Sequence, residues 1–124
     1  MLDASPISVF LATAKPEESK TFYQKVMGLT LTDDNPFAVV FKLKGAELRI
    51  SKVKSFTPQP WTVLDWQVED LEKTMSELTN KDVSFERFEG MDQDENGVWA
   101  TPDGVRIAWF KDPDGNVLSV SKRK

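Results

Sequence analysis

Trp109-Phe110-Lys111-Asp112-Pro113-Asp114-Gly115-Asn116-Val117-Leu118-Ser119-Val120 is the stretch whose reading decides the fold. Pro113 restricts φ and Gly115 tolerates a positive φ, so Asp-Pro-Asp-Gly-Asn between two apolar runs reads as a tight reversal inside a β-hairpin. Beyond the turn, a period of two puts Val117, Ser119 and Ser121 on one face and Leu118 and Val120 on the other. The apolar pair is expected to face the core and Ser119 to point away from it.

Upstream, the chain spells one pattern twice. Ile7 to Thr13 alternates as a strand, Pro16 opens a helix whose apolar face is Phe22, Tyr23, Val26 and Met27, and Gly28 closes it. Leu29-Thr30-Leu31, Phe37 to Leu43 and Glu47 to Val53 then read as strands, with turns at Asp33 to Pro36 and at Gly45. After the stiff connector Thr57-Pro58-Gln59-Pro60, Trp61 to Val68 is a strand, Asp70 an N-cap, and Leu71, Met75 and Leu78 one face of a second helix. Asp82 stands where the first half has Gly28, and Val83-Ser84-Phe85 is expected to parallel Leu29-Thr30-Leu31. Val98 to Thr101 and Val105 to Phe110 pair through Pro102-Asp103-Gly104 before the closing strand. The offset between halves is about 55 residues (Gly28 to Asp82) and lengthens toward 70 (Arg49 to Ser119), because the second half carries an insertion between Glu89 and Gly97. An internal duplication of β-α-β-β-β units follows. The expected class is α+β: a single domain over residues 1–124, with one module over about 1–56, a connector at 57–60 and a second module over about 61–124.

Composition narrows the function. At 124 residues and 40% hydrophobic, the chain can bury roughly two thirds of the surface it would expose unfolded. Its net charge is −4 and its Lys and Arg are scattered, apart from Lys122-Arg123-Lys124, so no nucleic-acid partner is expected. There is no Cys, no basic leader precedes Val9-Phe10-Leu11-Ala12, and no span approaches the ~20 apolar residues of a membrane helix, so a soluble, cytoplasmic protein is expected. With neither His nor Cys there is no Ser-His-Asp or Cys-His nucleophile and no zinc site of the usual N/S type. Chemistry would have to use carboxylates, Lys, Tyr, hydroxyls or a borrowed cofactor.

The closing turn, Phe22-Tyr23 followed by Met27-Gly28-Leu29, and Val68-Glu69-Asp70-Leu71 resemble, in order and spacing, the motifs of the glyoxalase/bleomycin-resistance/dioxygenase superfamily, also called the vicinal oxygen chelate fold. The resemblance covers almost the whole chain and implies two tandem βαβββ modules whose mixed sheets curl around a concave cavity. It further implies metal ligands on inward positions of the first and last strands of each module. Those positions fall on Ser8, Arg49, Val63 and Ser119, the last replacing the family's Glu. Two hydroxyls, a guanidinium and an isopropyl group do not hold a divalent cation, so no metal and no cofactor are expected, nor lactoylglutathione lyase chemistry. Asp92-Gln93-Asp94-Glu95-Asn96-Gly97 copies the start of a calcium loop but lacks flanking helices and reads as a solvated loop.

Ser8, Phe10, Glu47, Arg49, Val63, Asp65 and Ser119 are expected to share the cavity. Trp109 lines either the cavity or the core, while Trp66 packs between Leu64 and Val68. Arg49 has two readings, a structural ion pair with Glu47 or Asp65 and an anchor for a ligand's anionic group. The resemblance to the bleomycin-binding proteins implies a small-molecule binder that is homodimeric, and the residues at the cavity positions, one guanidinium in a mostly apolar hollow without metal ligands, point to a metal-free site for an aromatic anion. An enzyme using Asp65, Glu47 or Tyr23 as base with Arg49, and an interaction protein with a vestigial cavity, are the alternatives.

Overall fold

A computed structural model describes all of residues 1–124. The chain forms two compact units, Met1–Thr57 and Pro58–Lys124.

In the first unit, β1 (Ile7–Thr13) leads into α1 (Pro16–Thr21), then β2 (Thr30–Asp34), β3 (Ala38–Leu43) and β4 (Ala46–Lys52). The sheet order is β1-β4-β3-β2, with β1 parallel to β4 and the other neighbours antiparallel. Pro16 occupies the first helical turn, where its missing N–H costs nothing, and Glu17 and Glu18 follow it. The helix does not run regularly to Gly28: Phe22–Val26 widens into a π turn, marked by the Met27 N–H on the Phe22 carbonyl at 2.9 Å. Ser19 and Tyr23 are the buried helical residues, and Tyr23 packs against Phe22 and Phe41 at ring distances of 5.1 and 5.9 Å. Leu48 and Ile50 of β4 are fully buried beside Phe41 and Val39 of β3. Lys20 and Lys52 both reach the Asp34 carboxylate, at 3.0 and 2.8 Å, which ties α1 and β4 to β2.

In the second unit, β5 (Thr62–Gln67), α2 (Leu71–Thr79), β6 (Trp99–Ala100), β7 (Arg106–Lys111) and β8 (Val117–Lys122) repeat the pattern as β5-β8-β7-β6. Asp70 caps α2 by accepting the Lys73 N–H at 3.0 Å, and Leu71, Met75 and Leu78 are its buried face. The duplication extends to the helix ends. Gly28 has φ +73° and Asp82, at the matching place, has φ +68°. Each residue sits in the left-handed conformation that ends a helix. The expected match of Val83-Ser84-Phe85 with the first edge strand fails, because that segment is not a strand. The topological counterpart of β2 is β6, reached only after the insertion; before it, the Glu86 N–H meets the edge of β7 at the Trp109 carbonyl, 2.8 Å away.

The closing turn is held by Asp112, whose Oδ1 accepts from the backbone of Asp114 and Asn116 at 3.0 and 2.9 Å while its Oδ2 accepts from the Asn116 side chain at 2.8 Å. Gly115 has φ +93°, the conformation that favours glycine, and a Cβ there would also press on Pro58 Cγ at 3.3 Å. No helix is long and apolar enough to cross a membrane.

Candidate functional site

Strand register places the candidate residues of each unit by itself. In the first, the parallel β1–β4 pair sets Ser8 opposite Glu47 and Phe10 opposite Arg49, and alternation turns these four away from Leu48 and Ile50. Ser8 Oγ donates to Glu47 Oε2 at 3.0 Å, and Arg49 Nη1 lies 3.5 Å from the same oxygen. Glu47 therefore gathers a hydroxyl and a guanidinium, and the pairing half of the two readings of Arg49 is present. A guanidinium has five N–H donors, and one contact of 3.5 Å uses little of that capacity. Phe10 beside it is 63% exposed, an aromatic surface in the open.

In the second unit, Asp65 lies opposite Ser119 and Trp109 opposite Ser119 on its other side, so the three share a face of β5-β8-β7. Trp109 thus stands on the face of Ser119 and not on the side of Leu118 and Val120. Asp65 is an acceptor hub. Ser119 Oγ donates to its Oδ1 at 2.7 Å, and Ser121 Oγ and Arg123 Nη2 donate to its Oδ2 at 2.7 and 3.0 Å. Ser119 is only 2% exposed, so its hydroxyl serves Asp65 and is not offered to the outside. Val63 sits in an irregularity of the strand pairing. The β5–β8 register shifts between Thr62 and Leu64, with Thr62 opposite Val117 and Leu64 opposite Leu118. At such a bulge strict alternation fails, and Thr62, opposite Val117, joins the Ser119 face. The Thr62 hydroxyl accepts from Trp109 Nε1 at 2.9 Å.

Trp109 also borders a cleft of about 320 Å³ with Trp61, Thr62, Phe88 and Met91 in its walls. Phe88 meets Trp109 edge to face at 5.4 Å, and Trp99 lies tilted against it at 6.3 Å. None of the residues lining the cleft is ionisable. Thr62, Phe88, Met91, Ser121 and Arg123 were not among the expected site residues. Two Ser at period two on the closing strand was a legible hint of a shared acceptor, whereas Phe88 and Met91 lie in the insertion, whose path no periodicity announces.

Tyr23, one of the expected proton-handling candidates, lies in the core. It is 0% exposed and packed between Phe22 and Phe41, on the face of β3 that adjoins Leu48. The calcium-like segment closes on itself: Asp94 Oδ1 accepts the backbone N–H groups of Asn96 and Val98, both at 2.9 Å. No three His, Cys, Asp or Glu side chains gather anywhere. A family-type metal does not fit the residues present, since of Ser8, Arg49, Val63 and Ser119 the two with oxygen donors spend their hydroxyls on Glu47 and Asp65, and neither remaining side chain is a ligand for a hard or borderline cation.

The comparisons agree with this architecture. Structures similar to this one include a glyoxalase family protein from Bacillus anthracis (19% identity, 95% of this chain and 92% of that chain, TM-score 0.71). A lactoylglutathione lyase from Agrobacterium tumefaciens matches at 15% identity over 96% and 93% of the chains with TM-score 0.74. A glyoxalase-related enzyme from Fulvimarina pelagi matches at 19% identity over 97% and 88% with TM-score 0.73. Likeness at such identity is likeness of fold. No curated protein matches in sequence. The profile that does match, over residues 6–120, is that of the whole superfamily, and it spans both βαβββ units: the chain belongs to the Glyoxalase/Bleomycin resistance protein/Dioxygenase superfamily.

Proposed function

We propose that this chain is a metal-independent small-molecule-binding protein that takes a planar aromatic acid. One observation carries the reading: at the metal-ligand positions the two hydroxyls, Ser8 and Ser119, are spent on neighbouring carboxylates, while a charge-free aromatic cleft opens beside Trp109, on the Ser119 face. A largely apolar concavity with few polar groups is what small-ligand binding requires. On the first unit, taken by itself, Phe10 is exposed aromatic surface and Arg49 opposite it in the strand register is a group suited to a carboxylate, since a guanidinium fork matches two oxygens at once. Asp65 and Glu47 are each engaged as acceptors, which argues against either as a ready general base. Lactoylglutathione lyase activity belongs to the similar Agrobacterium protein and is not proposed for this chain, because the donor set for its metal is missing.

The protein acts as a two-fold homodimer, a second copy covering the aromatic and apolar surface left open at Phe10 and Trp61, which are 63% and 61% exposed. Its cysteine-free composition fits the cytoplasm. The test is native mass spectrometry of the protein as purified, followed by titration with a panel of aromatic acids. A retained aromatic acid, or saturable one-to-one binding of a panel member, is expected; a protein that stays empty and binds none of them contradicts the proposal.

A further inference from the structure

The two units differ most between their helix and their edge strand. In the first, Gly28 leads at once into the five-residue β2; in the second, Asp82 is followed by a long excursion before the two-residue β6. Gln93 is the side chain that ties the start of that excursion to its end. Gln93 Oε1 accepts the Phe88 N–H at 2.7 Å, and its Nε2 donates to the Glu86 carbonyl at 3.0 Å and to the Gly97 carbonyl at 2.7 Å. An amide that serves one N–H and two carbonyls replaces the ladder bonds that a regular edge strand would supply. The far end is closed by the Asp94 N–H on the Val98 carbonyl at 2.8 Å and by the Gln93–Trp99 bridge. What this fastening positions is Phe88 and Met91, one wall of the aromatic cleft, against Trp61, Thr62 and Trp109 of the opposite wall.

We infer that the Glu86–Val98 insertion is the selectivity element of the ligand site, that its cleft takes the flat ring system of an aromatic acid, and that Gln93 is the residue that positions it. The inference rests on the small-molecule reading above. The cleft, at about 320 Å³, is at the small end of the roughly 300–1,000 Å³ typical of ligand pockets, so it suits one or two fused rings. With Trp109 Nε1 already donated to Thr62, and no ionisable lining residue, the walls offer ring faces and edges without an unspent full charge. Selection is therefore for aromaticity: a saturated ring of similar bulk fills the space but gains no ring–ring contact.

The experiment compares 2-naphthoate with its saturated counterpart decahydronaphthalene-2-carboxylate, by quenching of tryptophan fluorescence and by calorimetry, on the full chain and on Gln93→Ala and Phe88→Ala, with thermal melts alongside. The wild type is expected to prefer 2-naphthoate at least tenfold, and both variants to lose most of that preference while still binding the saturated acid and melting cooperatively. The Gln93→Ala spectrum should also change in the near-ultraviolet dichroism of Trp109, whose partner Phe88 has been released. An unchanged preference in either variant overturns the inference, as does equal weakening toward both acids, which is what simple loss of structure would give. Tighter binding of tetraethylammonium than of 2-naphthoate overturns it as well. If the wild type binds neither acid, it is the small-molecule reading itself that falls.

Discussion

Removing the Asp65 carboxylate is the perturbation whose cost the structure states most fully. Asp65→Ala strips the acceptor from two hydroxyls, Ser119 at 2% and Ser121 at 0% exposure, and from the half-exposed Arg123 guanidinium. A buried donor left without a partner costs about 1–3 kcal/mol. The exposed arginine pair adds about 0–1 kcal/mol. Because the hydroxyls can rotate and the pair with Arg123 lets water approach, the lower part of the sum applies, about 2–5 kcal/mol. For a urea slope of roughly 2 kcal/mol/M, the midpoint should fall by about 1–2.5 M at pH 7. Asp65→Leu combined with Ser119→Ala and Ser121→Ala removes donors and acceptor together and should recover most of the loss, since an apolar replacement of a whole buried network is close to neutral. The assay is equilibrium urea unfolding followed by tryptophan fluorescence. A loss below about 1 kcal/mol in Asp65→Ala, outside the range for an orphaned pair of hydroxyls, would refute the clamp and reopen a chemical role for this carboxylate.

Arg49→Ala should change stability in urea by no more than about 1 kcal/mol, since its pair with Glu47 is loose and part exposed. Asp82→Gly should raise stability by about 0.5–1 kcal/mol in urea, because a non-glycine residue at φ +68° carries left-handed strain that outweighs the extra freedom of glycine in the unfolded chain. Lys52 and Lys20, by hydrogen bonding and charge, hold the Asp34 carboxyl below its ordinary 3.8, so Asp34 stabilises the fold above the carboxylate range and loses that contribution as pH falls through its lowered value. The melting difference between wild type and Asp34→Asn should accordingly be greatest near neutrality and vanish in acid; a difference that grows on acidification would have the wrong sign.

Much of the fold was written locally. Alternation placed Leu48 and Ile50 on the buried side of β4 and Glu47 and Arg49 on the other, and the spacing of Leu71, Met75 and Leu78 marked the buried stripe of α2, because burial of one face is what a period of two or 3.6 encodes. Even the left-handed helix end was visible as the match of Gly28 with Asp82. Two of the failures share a physical cause: each depends on one residue more than the regular period. The π turn at Phe22–Val26 and the register shift at Val63 both absorb an extra residue, and neither breaks the pattern of residue types around it. The insertion was located but its path was not, since Gln93 bonds to backbone groups that only its own folding brings near. The aromatic cleft followed from that path, and so Phe88 and Met91 stayed out of sight while Trp109, on a regular strand, did not.

The measurement that bears most directly on metal-independent binding is calorimetric titration of 2-naphthoate into the same preparation in EDTA and after incubation with excess Ni²⁺ or Zn²⁺, with elemental analysis of each sample. The account predicts the same affinity in both, one ligand per chain, and no stoichiometric metal retained after desalting. Binding that vanishes in EDTA and returns with one equivalent of metal per site would contradict it.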